Sequence, residues 1–150
     1  MATPIRVSIE INATPDDVWA VLEPIERHID WMADAESITF TSQTNRGVGT
    51  SFICVTKVGP IRLNDVMRIT EWSPGSRMGV SHHGIVTGSG RFILTPGSRP
   101  GPTNFTWDEA LSFPWWLGGP IAGWLGGQIV LRAIWRKNLR RLKILIERSG

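Results

Sequence analysis

From Ser37 to Leu111 the chain divides into six strand-length segments separated by turn residues, and no other feature constrains its fold as much. The alternation predicts strands over Ser37–Thr41, Thr50–Val58, Ile61–Glu71, Arg77–His83, Thr87–Thr95 and Thr103–Leu111. Between them lie Asn45-Arg46-Gly47, Gly59-Pro60, Ser73-Pro74-Gly75, Gly84 and the run from Pro96 to Gly101, all of them residues that favour reversals. Most of these connections are too short for a crossover between parallel strands, so neighbours are expected to pair as antiparallel hairpins in a meander. Alternation gives one face Met67, Ile69, Met78, Val80, His82, Phe92, Leu94, Phe105, Trp107 and Leu111, with Asp65, Glu71 and Glu109 on the same side.

Other elements flank this meander. Arg6 to Ile11 alternates Val7, Ile9 and Ile11 on one face and reads as a further strand. Thr14-Pro15-Asp16-Asp17 is a compact helix start, with a capping hydroxyl, a proline at the first helical position and carboxylates at the positive end of the helix dipole. Val18, Trp19, Val21 and Leu22 give that helix its apolar face, Pro24 stops it, and a second short helical piece runs from Ile25 to about Trp31. At the far end, Leu131, Ile134, Trp135, Asn138, Leu139, Leu142, Leu145 and Ile146 form one helical stripe, continued upstream by Trp124 and Gln128. Arg132, Arg136, Lys137, Arg140, Arg141, Lys143 and Arg148 take the other side. A helix over Gln128–Arg148 would span about 30 Å, long enough to cross a sheet.

Between Ala110 and Leu131 the chain carries no charged side chain, and basic residues follow at once. That is the outline of a membrane-spanning helix, but the composition argues against one. Pro114 and Pro120 would each remove a backbone donor and bend a helix, and five glycines interrupt the run, each costing about 1 kcal/mol relative to alanine in a helix. The run is therefore expected to be three things in succession: the end of a strand, an apolar Gly/Trp loop and the start of the last helix.

The remaining composition narrows the function classes. A chain of 150 residues with 41% hydrophobic and 19% charged residues fits a single soluble domain. Cys54 is the only cysteine and no Cys/His cluster has metal-ligand spacing, so neither a disulfide nor a zinc site is expected, and Cys54 reads as a small core residue. No apolar leader is seen near Met1, so a cytoplasmic location is expected. The net charge of +3 conceals an asymmetry: seven basic residues against Glu147 alone from Ile129 onward, with an acidic excess before it. A basic stripe of this kind can meet nucleic acid, but no recognition motif accompanies it, and an anionic membrane is the better-matched surface. Ile129, Val130 and Ala133, apolar on the helix's outer side, also fit a face covered by a membrane or by a second copy of the chain.

Several motifs give this order of elements a likeness. They are Ile9 to Pro15 continuing into Val18-Trp19, Gly47-Val48-Gly49-Thr50, Ile69 to Pro74, Leu94-Thr95-Pro96 and Leu139 to Lys143. Together they span essentially the whole chain, which resembles the START/polyketide-cyclase-like (SRPBCC) superfamily with its helix-grip fold. The resemblance implies an α+β domain, a curved antiparallel sheet of about seven strands wrapped on the long C-terminal helix. It also implies a cavity between them for an apolar ligand such as a lipid or polyketide, and no cofactor. A curved sheet and a single helix cannot close perfectly, and such gaps form pockets of about 300–1,000 Å³. Met67, Met78, Val80, Phe92, Phe105, Trp107, Leu131, Trp135 and Asn138 are expected to line it, with Trp115, Trp116 and Ile121 near its mouth.

Two sets of polar residues bear on what the cavity would do. His82 and Glu109 fall on the same face among apolar groups, which suits general acid–base work in a cyclisation or dehydration, or satisfied polar groups with no such role. Asn138, a polar amide within an apolar stripe, would bond a ligand, tie the helix to the sheet backbone or hold a buried water. Enzymatic members of the superfamily often carry a cavity tyrosine, and this chain contains no tyrosine at all. That absence ranks binding of a hydrophobic molecule above catalysis, with a cyclase/dehydratase and a membrane-docking protein as alternatives.

Overall fold

A computed structural model of the protein describes residues 4–113 and 128–149. The elements run β1 (Ile5–Ile11), α1 (Pro15–Leu22), a 3₁₀ helix (Ile25–Asp30), β2 (Ala35–Phe40), β3 (Ser51–Val58) and β4 (Ile61–Ser73). They continue through β5 (Arg77–His83), β6 (Thr87–Pro96) and β7 (Thr103–Ser112) to α2 (Gln128–Ser149). The seven strands form one antiparallel sheet in the order β1-β7-β6-β5-β4-β3-β2. The meander is therefore closed on one side by the first strand, with Ile9 of β1 opposite Phe105 of β7. This curved, open sheet gripping a C-terminal helix is the expected α+β helix-grip fold.

Local chemistry accounts for the elements. Thr14 Oγ1 accepts the backbone N–H of Asp17 at 3.2 Å and caps α1, with Pro15 at its first turn. The two-residue Gly59-Pro60 turn joins Val58 to Ile61, and Gly59 supplies its positive φ of 59°. A β-bulge between Ile69 and Glu71 adds a residue to β4. It reverses the alternation beyond that point, so Trp72 faces the core against Trp19 while Glu71 turns outward toward Arg77. The expectation that Glu71 shares the Met67 face is corrected by this bulge.

The core lies between the concave face of the sheet and α2. The helix buries Leu131, Trp135, Leu139, Leu142 and Ile146, each worth about 1.5–3 kcal/mol when fully removed from water. Opposite them stand Ile5, Val7, Ile69, Met78, Phe92, Leu94, Phe105 and Trp107. The basic side of α2 is partly structural. Arg132 Nη1 donates to Arg6 O at 3.0 Å and Lys143 Nζ to Glu10 O at 2.9 Å, covering carbonyls of the edge strand β1. Among the described residues no helix is long and apolar enough to cross a membrane. The charge-free run does begin in a strand that ends at Ser112, and α2 does begin at Gln128. Its Gly/Trp middle, including Trp115, Trp116 and Ile121, lies outside the described residues.

Candidate functional site

Six adjacent strands, β2 to β7, contribute lining residues to one cavity of about 120 Å³ beneath α2. Of the expected lining residues, Met67, Met78, Val80, Phe92 and Trp107 come from the sheet, and Leu131 and Trp135 from the helix. The volume is below the expected range because aromatic side chains occupy much of the gap. Trp107 and Trp135 stack at 4.9 Å with their planes 14° apart, and Trp31, fully buried, packs against Phe92 at 5.7 Å and Trp107 at 6.1 Å. The Trp31 hub was not legible in the strand pattern, since it follows a helical piece that carried no apolar stripe of its own.

Two expected lining residues stand elsewhere. Phe105 is sealed in the core behind Phe92, at 5.2 Å, and does not reach the cavity. Asn138 is fully buried and both its polar atoms are engaged: its Oδ1 accepts the Ala33 N–H at 2.9 Å and its Nδ2 donates to Asp34 Oδ1 at 2.7 Å. It ties α2 to the segment leading into β2, so it touches neither the cavity nor the sheet backbone.

The polar end of the cavity is built on His82. The ring is buried, and Nδ1 lies 2.9 Å from both carboxylate oxygens of Asp65 while Nε2 lies 3.3 Å from Glu109 Oε2. Asp65 reaches it from the next strand, where Met67, two residues along, stands directly opposite His82. Glu109 lies two strands away, with β6 between, a span of about 10 Å at the usual strand spacing. The gap is bridged because β6 offers only glycine there: Gly88 is opposite His82 and Gly90 opposite Glu109. A Cβ on Gly90 would stand 2.6 Å from Glu109 Cγ, so glycine is what admits the carboxylate.

Both ring nitrogens face carboxylates, and only the imidazolium can donate from both. Burial alone would lower the His82 pKa, but the hydrogen bonds to Asp65 and Glu109 outweigh it and push it up to about 10. At neutral pH the ring is therefore a charged clamp between two carboxylates and not a free base. Its effect is to fix Glu109, whose second oxygen, Oε1, has no hydrogen-bond partner among the described residues. Any proton transfer to a bound molecule would run through that oxygen. The expected pair His82 and Glu109 thus meets in one cavity, and Asp65, the third member, was visible in the alternation without its role. Among the described residues no group of side chains has the geometry of a metal site.

The chain belongs to the family described as polyketide cyclase / dehydrase and lipid transport, whose model matches residues 2–147. A search of curated proteins gave no match. Solved structures with the same fold include a START superfamily protein from Mycobacterium smegmatis, at TM-score 0.78 and 10% identity over 98% of this chain and 99% of that one. The Zhui aromatase/cyclase from a Streptomyces species superposes at TM-score 0.77 with 15% identity, over 99% of this chain and 95% of its own. A Thermus thermophilus protein gives TM-score 0.76 and 16% identity over 99% of both chains. At these identities the likeness shows the fold alone.

Proposed function

We propose that the protein binds, and in a carrier role delivers, a small hydrophobic molecule held between the sheet and α2. The observation that carries this reading is the cavity itself, an apolar space walled by Met67, Met78, Val80, Leu131 and the stacked pair Trp107–Trp135. Methionine side chains adapt to irregular shapes, so the space can enlarge around a ligand beyond its 120 Å³. The family's description, which includes lipid transport, agrees with this reading. A cytoplasmic setting belongs to it and suits the single buried thiol of Cys54. Trp107 and Trp135 provide the test: saturable changes in tryptophan fluorescence are expected with apolar aromatic or lipid ligands. If none perturbs it across a broad panel, the reading fails.

A second reading, a cyclase or dehydratase, is favoured by the convergence of Asp65, His82 and Glu109 at the cavity wall. Here Glu109 would exchange the proton while His82 holds it in place. A β-hydroxy ketone probe would then lose water to give the enone, with the activity abolished in Glu109→Gln while probe binding persists. Absence of turnover by the wild-type protein across several such ketones would dismiss it.

A docking role can accompany either reading. Ile129 is 86% exposed and shares the outer face of α2 with the exposed Arg136 and Arg140, beside Lys137. Basic residues near an anionic membrane contribute about 1 kcal/mol each, so pelleting with anionic vesicles at low salt is expected. Pelleting that is absent at low salt would remove this role.

A further inference from the structure

The charge around the cavity is unbalanced, and the imbalance specifies the polar end of its ligand. Three carboxylates line it, Asp34, Asp65 and Glu109, against the one buried cation His82. The other titratable groups on the wall are neutral there. Burial pushes His28 down to about 4, and burial pushes the Cys54 thiol up to about 12. Arg91 also borders the space, but it is exposed and holds an outward register position on β6. The inner wall is therefore net negative.

The three carboxylates are not equivalent. Both oxygens of Asp65 are within reach of His82 Nδ1, and Asp34, whose Oδ1 accepts from Asn138, is only half-buried. Glu109 is 7% exposed and gives only Oε2 to His82. Its Oε1 is left without a partner among the described residues, yet it is not one of the sealed polar atoms, which include Trp31 Nε1 and Trp107 Nε1. Glu109 lines the apolar space, where a buried carboxylate oxygen without a partner is an acceptor waiting for a donor, and burying it against a purely apolar ligand leaves its desolvation uncompensated.

We propose that the cavity selects an apolar molecule whose polar end is a neutral hydrogen-bond donor, an alcohol or phenol set against Glu109 Oε1, and rejects apolar carboxylates such as fatty acids. This rests on the ligand-binding reading above. A hydroxyl completes the hydrogen bonding of Glu109 without adding charge. A carboxylate brings a second acceptor to an acceptor and a further negative charge to a net-negative, poorly solvated wall, and so meets a repulsive element in place of an attractive one. His82 offers the anion no relief, because both its N–H groups are already given to Asp65 and Glu109.

The test is calorimetric titration at neutral pH with three probes of one shape: 2-naphthol, naphthalene and 2-naphthoate. The expected order is naphthol tightest, naphthalene weaker and naphthoate weakest, with at least about tenfold between the first and last. In Glu109→Gln that separation should shrink by about tenfold. Carboxyl ¹³C NMR of the wild-type protein gives the same answer without a variant: naphthol should shift the Glu109 resonance and naphthalene should leave it nearly unchanged. Naphthoate binding as tightly as naphthol, or a Glu109 resonance indifferent to naphthol, overturns the selectivity while ligand binding stands. If none of the three probes binds, the ligand-binding reading falls and takes the selectivity with it.

Discussion

At Gly90 a missing side chain decides the chemistry of a cavity. The residue stands opposite Glu109, and the room it leaves lets a carboxylate from β7 reach a histidine on β5 across an intervening strand. Gly90→Ala would place a methyl against the Glu109 side chain. Overpacking of this kind costs about 1–3 kcal/mol, and with Glu109 displaced the charge on His82 would be held by Asp65 alone. The expected outcome is a less stable protein whose His82 resonance, followed by NMR against pH, titrates closer to the ordinary histidine value of 6.5. An unchanged His82 titration would show that Glu109 reaches the ring by another path. At this scale the sequence was informative about direction and poor about partners. Alternation placed Asp65, His82 and Glu109 on one face, but it has no means of showing which side chains meet across a glycine strand two ladders wide. Asn138 illustrates the same limit: its polarity in an apolar stripe marked it as special, while its partners Ala33 and Asp34 lie more than a hundred residues away in the chain.

Elements were more legible than contacts, because their signals are local. The strand Arg77–His83 and the start of α2 at Gln128 follow from turn residues and periodicity within a few positions. Glu71 escaped because a bulge depends on how the whole sheet bends, and two-residue periodicity cannot register one extra residue. The role of the basic stripe on α2 was also only half visible: Arg132 and Lys143 cover carbonyls of β1, and Arg141 Nη2 lies 3.4 Å from Asp30 O. These contacts, with Asn138, lock the helix onto the sheet's first strand and onto the segment before β2. Asn138→Leu should therefore lower stability by about 1–2 kcal/mol, since it removes two hydrogen bonds and leaves the Ala33 N–H and a carboxylate oxygen of Asp34 without their partner at a part-buried position. Urea denaturation would show this as a lower midpoint. Because Asn138 does not reach the cavity, affinity for an apolar ligand should change little in the folded variant, and a large loss of affinity would contradict the placement.

For the molecule as a whole, two buried histidines pull stability in opposite directions along the pH scale. His82 is held charged by Asp65 and Glu109, and its pKa rises from 6.5 to about 10. The stability it contributes is full below 6.5 and is lost progressively as pH climbs toward 10. His28 is the reverse case: burial lowers its pKa to about 4, although the hydrogen bond with Leu22 O, at 2.8 Å, works to raise it. Its contribution is full above 6.5 and is lost as pH falls through 4, when the buried ring must charge. The two limbs meet near 6.5, so stability measured by urea denaturation should peak there and fall on both sides. Glu10 and Glu26, whose pKa values are lowered, steepen the acid side. The variants separate the limbs. His82→Gln should be less stable at neutral pH yet flat toward alkali, and His28→Gln should flatten the decline between 6.5 and 4. An alkaline limb that survives in His82→Gln would mean that the ring is not the charge holding the two carboxylates together. The cavity's charged end would then need a different source of cohesion.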